Sequence, residues 1–272
     1  MFGEEIKRSI ISKRFLGTCM IVLILFAFGS SDALLYVDGS SVVVQKNVWW
    51  GIYLYAICLG MKTLLPILYP IIVMIPYVSS YRREVDSGFA ELIIMKGRLI
   101  DYLFAKYSAI AISAFFSMLI PALVWALICW LIGDSNPYYD YDKYAIHFAL
   151  ALYEINPGLY VVFYAFHIAV LGVVFAILGL GLSAVVKNLY VALFMPFGYA
   201  VFSSSILGPI IGKGIAVFDM MPLQVYYHTK IYPLGYWTVP IYELIILIVG
   251  TLLFFLGGLQ SLEDHNGKKN KV

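Results

Sequence analysis

Apolar runs near 20 residues recur along the whole chain, with short polar segments between them. This is the pattern of helices that cross about 30 Å of hydrocarbon at about 1.5 Å per residue. The runs are continuously apolar, whereas the strands of a spanning β-barrel alternate and are shorter, so a barrel is rejected. The first residues differ. Phe2, Ile6 and Ile10 share one helical face, with Glu4, Glu5, Lys7, Arg8 and Lys13 around the rest, so residues 1–14 read as an amphipathic helix at a membrane interface. Six spans are expected at about 15–36, 63–79, 105–132, 158–184, 189–211 and 239–259. Together they form a transmembrane domain over 15–259, followed by a polar tail at 260–272. Residues 40–62 contain Gln45, Lys46, Asn47, Trp49 and Trp50 and then an apolar stretch too brief to cross alone, which is expected to lie along the outer surface. Pro66, Pro70 and Pro76 each remove a helical amide donor from the second span, which should be bent or broken. The opening also reads as a signal peptide, with a basic start, an apolar stretch from Phe15 to Phe28 and small residues after it. A retained first span is the expectation taken forward.

Charge orients these elements. Thirteen of the 18 Lys and Arg lie in the N-terminal segment, the Arg82–Lys106 region, the turn at Lys187 and the tail. Lys46, Lys62, Lys143, Lys213 and Lys230 fall on the other side. The excess predicts both termini in the cytoplasm, as six crossings require. Tyr138, Tyr139, Tyr141, Tyr226, Tyr227, Tyr232 and Tyr236 cluster at the outer ends, where a headgroup-level aromatic belt is the plainer reading than a binding site. The 272 residues are 62% hydrophobic and only 12% charged, far from the roughly 25% charged composition of soluble domains. The fold class is therefore an all-α, multi-pass membrane protein, expected in the plasma membrane. A net charge of +2 does not suggest a nucleic-acid partner. Cys19, Cys58 and Cys129 have neither pair spacing nor nearby histidines, so they read as small apolar fillers and no metal site is indicated.

Catalytic motifs are missing. The nearest approach to a nucleotide-binding loop, Gly208-Pro-Ile-Ile-Gly-Lys-Gly, has the wrong spacing and no Ser or Thr after the lysine. There is no nucleophile elbow, no zinc-protease helix and no pair of intramembrane carboxylates of the aspartyl-protease kind. The chain is expected to be non-catalytic and to bind no cofactor directly. The informative stretch is the charged segment 81–98, where Arg82, Arg83, Glu84, Asp86 and Glu91 flank Ser87-Gly88 and Phe89–Met95 can form a short, partly apolar surface helix. Its plain reading is a solvated turn carrying positive-inside charges.

These residues resemble the type-2 permease group of ATP-binding-cassette (ABC) exporters. In that family an amphipathic N-terminal helix precedes six spans, and the loop between spans two and three carries an acidic residue, a glycine and a leucine-rich short helix. The matching positions are Glu84, Gly88, Glu91 and Leu92 within Arg83-Glu-Val-Asp-Ser-Gly-Phe-Ala-Glu-Leu. Phe89-Ala90 stand where the family more often has a threonine and an aliphatic residue, and Lys96-Gly97 where a proline is common. The resemblance implies that 81–98 is a coupling helix docking on a separate ATPase subunit, which holds ATP and magnesium. It also implies a second permease copy, identical or related, and substrate export by alternating access.

Two further patterns stand in the later spans. Ala165, Ala169, Gly172, Ala176, Gly179 and Ser183 recur at spacings of four and three, a stripe that lets helix backbones approach in lipid. The resulting seam is expected within the subunit, with a contact between two copies as the alternative. His167 lies about 200° around the helix from Ala165. It is a candidate lining residue of a substrate path, alongside Glu243 near the outer end of span six. The plain alternatives are a neutral histidine bonded to a neighbouring hydroxyl or carbonyl and a glutamate reaching headgroup water. The rivals to an exporter subunit are a self-sufficient secondary transporter or channel, and a membrane scaffold or immunity protein. The first of these would usually show paired intramembrane charges or two similar halves.

Overall fold

The computed structural model describes residues 2–38, 41–44, 48–59, 64–95, 98–135, 150–186, 188–202 and 238–269. The chain opens with α1 (Phe2–Ile10), which turns by 44° into α2 (Lys13–Gly29). Ser12 sets the corner: its Oγ accepts the Phe15 amide at 3.1 Å, capping α2. After α3 (Ser31–Leu34) comes a small antiparallel ribbon of β1 (Leu35–Asp38) and β2 (Ser41–Val44), with Leu35 opposite Val44 and Asp38 opposite Ser41. The first long helix is thus shorter than 15–36, and by Leu35 the chain is extended.

The next segment is a correction. Trp49–Leu54 forms α4 and runs into a π-helical turn over Tyr55–Leu59. Trp50, Ile52, Tyr53, Leu54, Ala56 and Ile57 are all buried, so the segment lies inside the bundle and not along a surface. Its described residues carry no charged face to offer water, and burial among helices is the stable outcome. Phe26 of α2 packs on Tyr53 with ring centroids 6.5 Å apart. Past residues 60–63 the chain continues as α5 (Leu65–Ile72), a run of turns over 73–77, and α6 (Val78–Asp86). Pro66 occupies the first turn of α5, Pro70 lies inside it and Pro76 falls in the turns. The break expected from the prolines lies between Ile72 and Val78.

The rest is helical: α7 (Phe89–Ile94), α8 (Leu99–Ile132), α9 (Leu150–Ile155), α10 (Pro157–Val185), α11 (Leu189–Phe202) and α12 (Thr238–Lys269). Asn156 fixes the start of α10 by accepting the Gly158 and Leu159 amides at 2.8 and 3.2 Å, with Pro157 in the first turn. α8 starts six residues earlier than span three was drawn, and α12 continues as one helix through most of the expected tail. α8, α10 and Pro240–Gln260 of α12 are each long and apolar enough to cross a membrane, and α1 and α2 pass the same test only as a bent pair. Rows of large apolar side chains face outward, among them Leu127, Trp130 and Leu131 on α8 and Leu244, Ile248, Leu252 and Leu256 on α12. Water does not stabilise such a surface, and the chain is a membrane protein. Residues 203–211 of the expected fifth span, and all seven tyrosines assigned to the outer belt, lie outside the described residues.

α10 is the central helix, with 72% of its apolar window buried against 39% in α8 and in Pro240–Gln260. Every member of the small-residue stripe is buried in the fold of this one chain. A Cβ on Gly172 would meet Met118 and Tyr69 at 3.2 Å, and one on Gly179 would collide with Met74, so the stripe packs against α8 and the broken α5–α6 segment. A second approach, to α12 and largely to backbone, uses other positions: a Cβ on Gly181 would collide with the Gly250 carbonyl oxygen, one on Gly250 would stand 2.8 Å from the Leu178 Cα, and one on Gly257 would stand 2.9 Å from Val185.

These contacts sort the elements by end. At one end Val48 and Trp49 bridge to Asp134, and Gly158 approaches Trp49. At the other end Gly258 approaches Tyr81 and Leu103, so α6, the start of α8 and the close of α12's apolar stretch lie together. α1 packs there as well, through Lys106 of α8.

Candidate functional site

The helix pair α6–α7 is built around one glycine. α6 places Val78, Ser79, Tyr81, Glu84 and Val85 inward. It closes with the Ser87 amide donating to the Arg83 carbonyl at 3.0 Å and the Gly88 amide to the Val85 carbonyl at 3.2 Å. Gly88 has φ 73°, a left-handed conformation that a residue with a Cβ adopts only with strain. The turn lets α7 start at once, with Ala90 buried and Phe89 and Leu92 exposed. Arg82 pairs with Asp86 one turn on, at 2.8 Å. Arg83, Asp86 and Ser87 face outward. The Glu91 side chain lies outside the described side chains.

Glu84 does not join this outward set. It is 7% exposed, and its Oε1 accepts from the Lys106 ammonium at 2.6 Å while Oε2 accepts from the Tyr102 hydroxyl at 3.0 Å. Lys106 is fully buried and also donates to Glu5 Oε2 at 2.7 Å. Glu5 takes a hydrogen bond from the Tyr77 hydroxyl at 2.6 Å and a charged one from Arg8 at 3.0 Å. Arg8 also stands 3.9 Å from Glu84. Two buried carboxylates and a buried lysine, with the half-exposed Arg8 at their edge, thus balance in a cluster joining α1, α6 and α8. A lysine removed from water requires this degree of compensation, since an unpaired buried charge is not tolerated. Burial opposes ionisation of Glu5, but the Lys106 and Tyr77 hydrogen bonds and the Lys106 and Arg8 charges outweigh it and hold its carboxyl below the ordinary range.

Sequence reading assigned Glu84 to the exposed charges of the loop, passed over Glu5, and counted Lys106 only as a positive-inside residue. A signal was present. A lysine between Ala105 and Tyr107 in a largely apolar helix demands a carboxylate partner. Glu5, about 60° from Phe2 on the helical wheel, borders the apolar face of α1.

The other candidates, His167 and Glu243, were treated separately from sequence, and the structure brings them together. His167 Nε2 of α10 stands 3.0 Å from Glu243 Oε1 of α12. Glu243 is buried, not reaching out to headgroup water. One residue on, the Ile168 carbonyl accepts a hydrogen bond from the buried Tyr69 hydroxyl of α5, so a polar patch joins three elements in an apolar bundle. Among the described residues, no group of three or more His, Cys, Asp or Glu converges in a way that could hold a metal ion. Compared with protein-family models, with curated proteins and with solved structures, the chain matches none.

Proposed function

We propose that this chain is the non-catalytic permease subunit of an ABC exporter. It works with a second permease copy and draws on ATP hydrolysed by a separate ATPase chain. The crossings in this reading are α2, the broken traverse from Trp49 to Asp86, α8, α10, the segment that opens with α11, and α12. Both termini lie in the cytoplasm of a plasma-membrane protein, because Lys7, Arg8, Lys13, Arg14, Arg82, Arg83 and Arg98 gather toward the end where α1, α6 and the start of α8 meet.

The observation that carries the reading is the mounting of the α6–α7 turn. Arg83, Asp86 and Ser87 form an outward docking face with Arg82 and Gly88 partly buried beside it, and Glu84 between them is tied to α8 and α1 through Lys106. A displacement imposed on the turn is passed to the transmembrane helices through short buried ionic contacts and is not absorbed by a slack loop. The test is co-isolation with an ATPase, followed by coupled turnover in liposomes. Gly88→Pro and Glu91→Arg should each leave insertion intact and lower transport per ATP at least tenfold. Unchanged coupling in both variants refutes the assignment.

One observation favours a second reading, a self-sufficient secondary transporter. His167 and Glu243 stand 3.0 Å apart inside the bundle, an ionisable contact of the kind this class usually carries within the membrane. Flux driven by a proton gradient in liposomes holding this chain alone would establish it.

A further inference from the structure

Beside the buried cluster, at the corner between α1, α2 and α6, lies a cavity of about 370 Å³ lined by Arg8, Ile11, Arg14, Ser80, Arg83 and Glu84. Its charge is not balanced. Arg8 is committed to Glu5 and Glu84, and Lys106 to the same two carboxylates. Among the described residues Arg14 makes only a neutral hydrogen bond, to Ser79 Oγ at 3.2 Å, and Arg83 makes no ion pair. The Ser80 hydroxyl is buried and has no hydrogen-bond partner among the described residues. Two guanidinium groups and a hydroxyl with unused hydrogen-bonding capacity around one cavity suit a phosphate group, which accepts several charge-assisted hydrogen bonds at once.

The surroundings say where such a phosphate comes from. Ile11 at the cavity wall is 74% exposed. Ile21, Ile24 and Phe28 continue along α2 as exposed apolar residues three and four apart, on the side of the helix that carries Arg14. A free anion has no use for that stripe, whereas the acyl chains of a phospholipid do. We infer that this corner is a binding site for an anionic phospholipid of the cytoplasmic leaflet, with its phosphodiester between Arg14 and Arg83 and its chains along α2. The site rests on the membrane placement of the bundle and not on the transport reading. It borders Glu84, so an occupied cavity adds an anion beside the link from α6 to α8.

The test uses the full chain in nanodiscs of equal parts phosphatidylglycerol and phosphatidylcholine, with native mass spectrometry reading the retained lipid. The wild type should retain phosphatidylglycerol preferentially. Arg14→Gln with Arg83→Gln should lower that preference by on the order of tenfold, and Ser80→Ala should lower it by less. Lys7→Gln with Lys13→Gln removes the same charge outside the cavity lining and should leave it nearly intact, and matching thermal unfolding shows that both double variants fold. Equal losses in the two double variants would reduce the site to a diffuse basic field and overturn it. So would displacement of the lipid by excess inorganic phosphate, which would make the occupant a free anion.

Discussion

Lys106 is the residue on which the end of the molecule built from α1, α6 and the start of α8 turns. Removing one partner of a buried ionic contact leaves an uncompensated charge, which typically costs about 3–5 kcal/mol. Lys106→Met should therefore destabilise the protein by about that much in thermal unfolding. Combining it with Glu84→Gln should cost less than the two single changes added together, because the double variant buries one carboxylate fewer. Glu5 supplies a pH dependence whose sign follows from its depressed folded value. Its contribution is present above its unfolded value near 4.5 and is lost as pH falls through the lower folded value. A fluorophore attached through Gly3→Cys should report α1 docked at neutral pH and released on acidification below about 4.5. Glu5→Gln should flatten that transition. From sequence, the outward members of the loop were legible because charges next to a glycine read as surface. Glu84 was not, because nothing local distinguishes it from Asp86, and its inward course is set by Lys106, 22 residues away.

The same distinction separates the elements. α8, α10 and α12 were legible because each is a long apolar run that must satisfy its own backbone in lipid. The α4 and π-helical segment was not, because its length suits a surface stretch and its burial depends on α2 and α8 being present on both sides. The stripe on α10 packs within the chain, yet the closest backbone approach between α10 and α12 pairs Gly181 with Gly250, which a pattern confined to α10 cannot reveal. Gly250→Ala forces a Cβ against the Leu178 backbone and should lower stability by about 1–3 kcal/mol. Gly198→Ala in α11, where a Cβ would meet nothing within 4 Å, should be neutral or slightly stabilising through helix propensity. Unfolding of both in one detergent compares them directly, and equal effects would remove the backbone contact as the cause.

At the scale of the whole molecule, topology is the quantity that labelling decides. Ser87→Cys places a thiol on the exposed turn after α6. An impermeant maleimide should leave it unmodified in intact cells and modify it once the membrane is opened. Modification from outside would invert the orientation and with it the case for an internal ATPase.

α12 runs unbroken from Thr238 to Lys269, about 48 Å at helical rise, or roughly half as long again as the hydrocarbon is thick. With Pro240–Gln260 as the crossing of the proposed topology, the turns after Gln260 extend past the hydrocarbon as a pointer. A small tilt at the Gly250 contact becomes a wide sweep at the tip, so a probe mounted near Lys269 magnifies whatever rocking the helix undergoes.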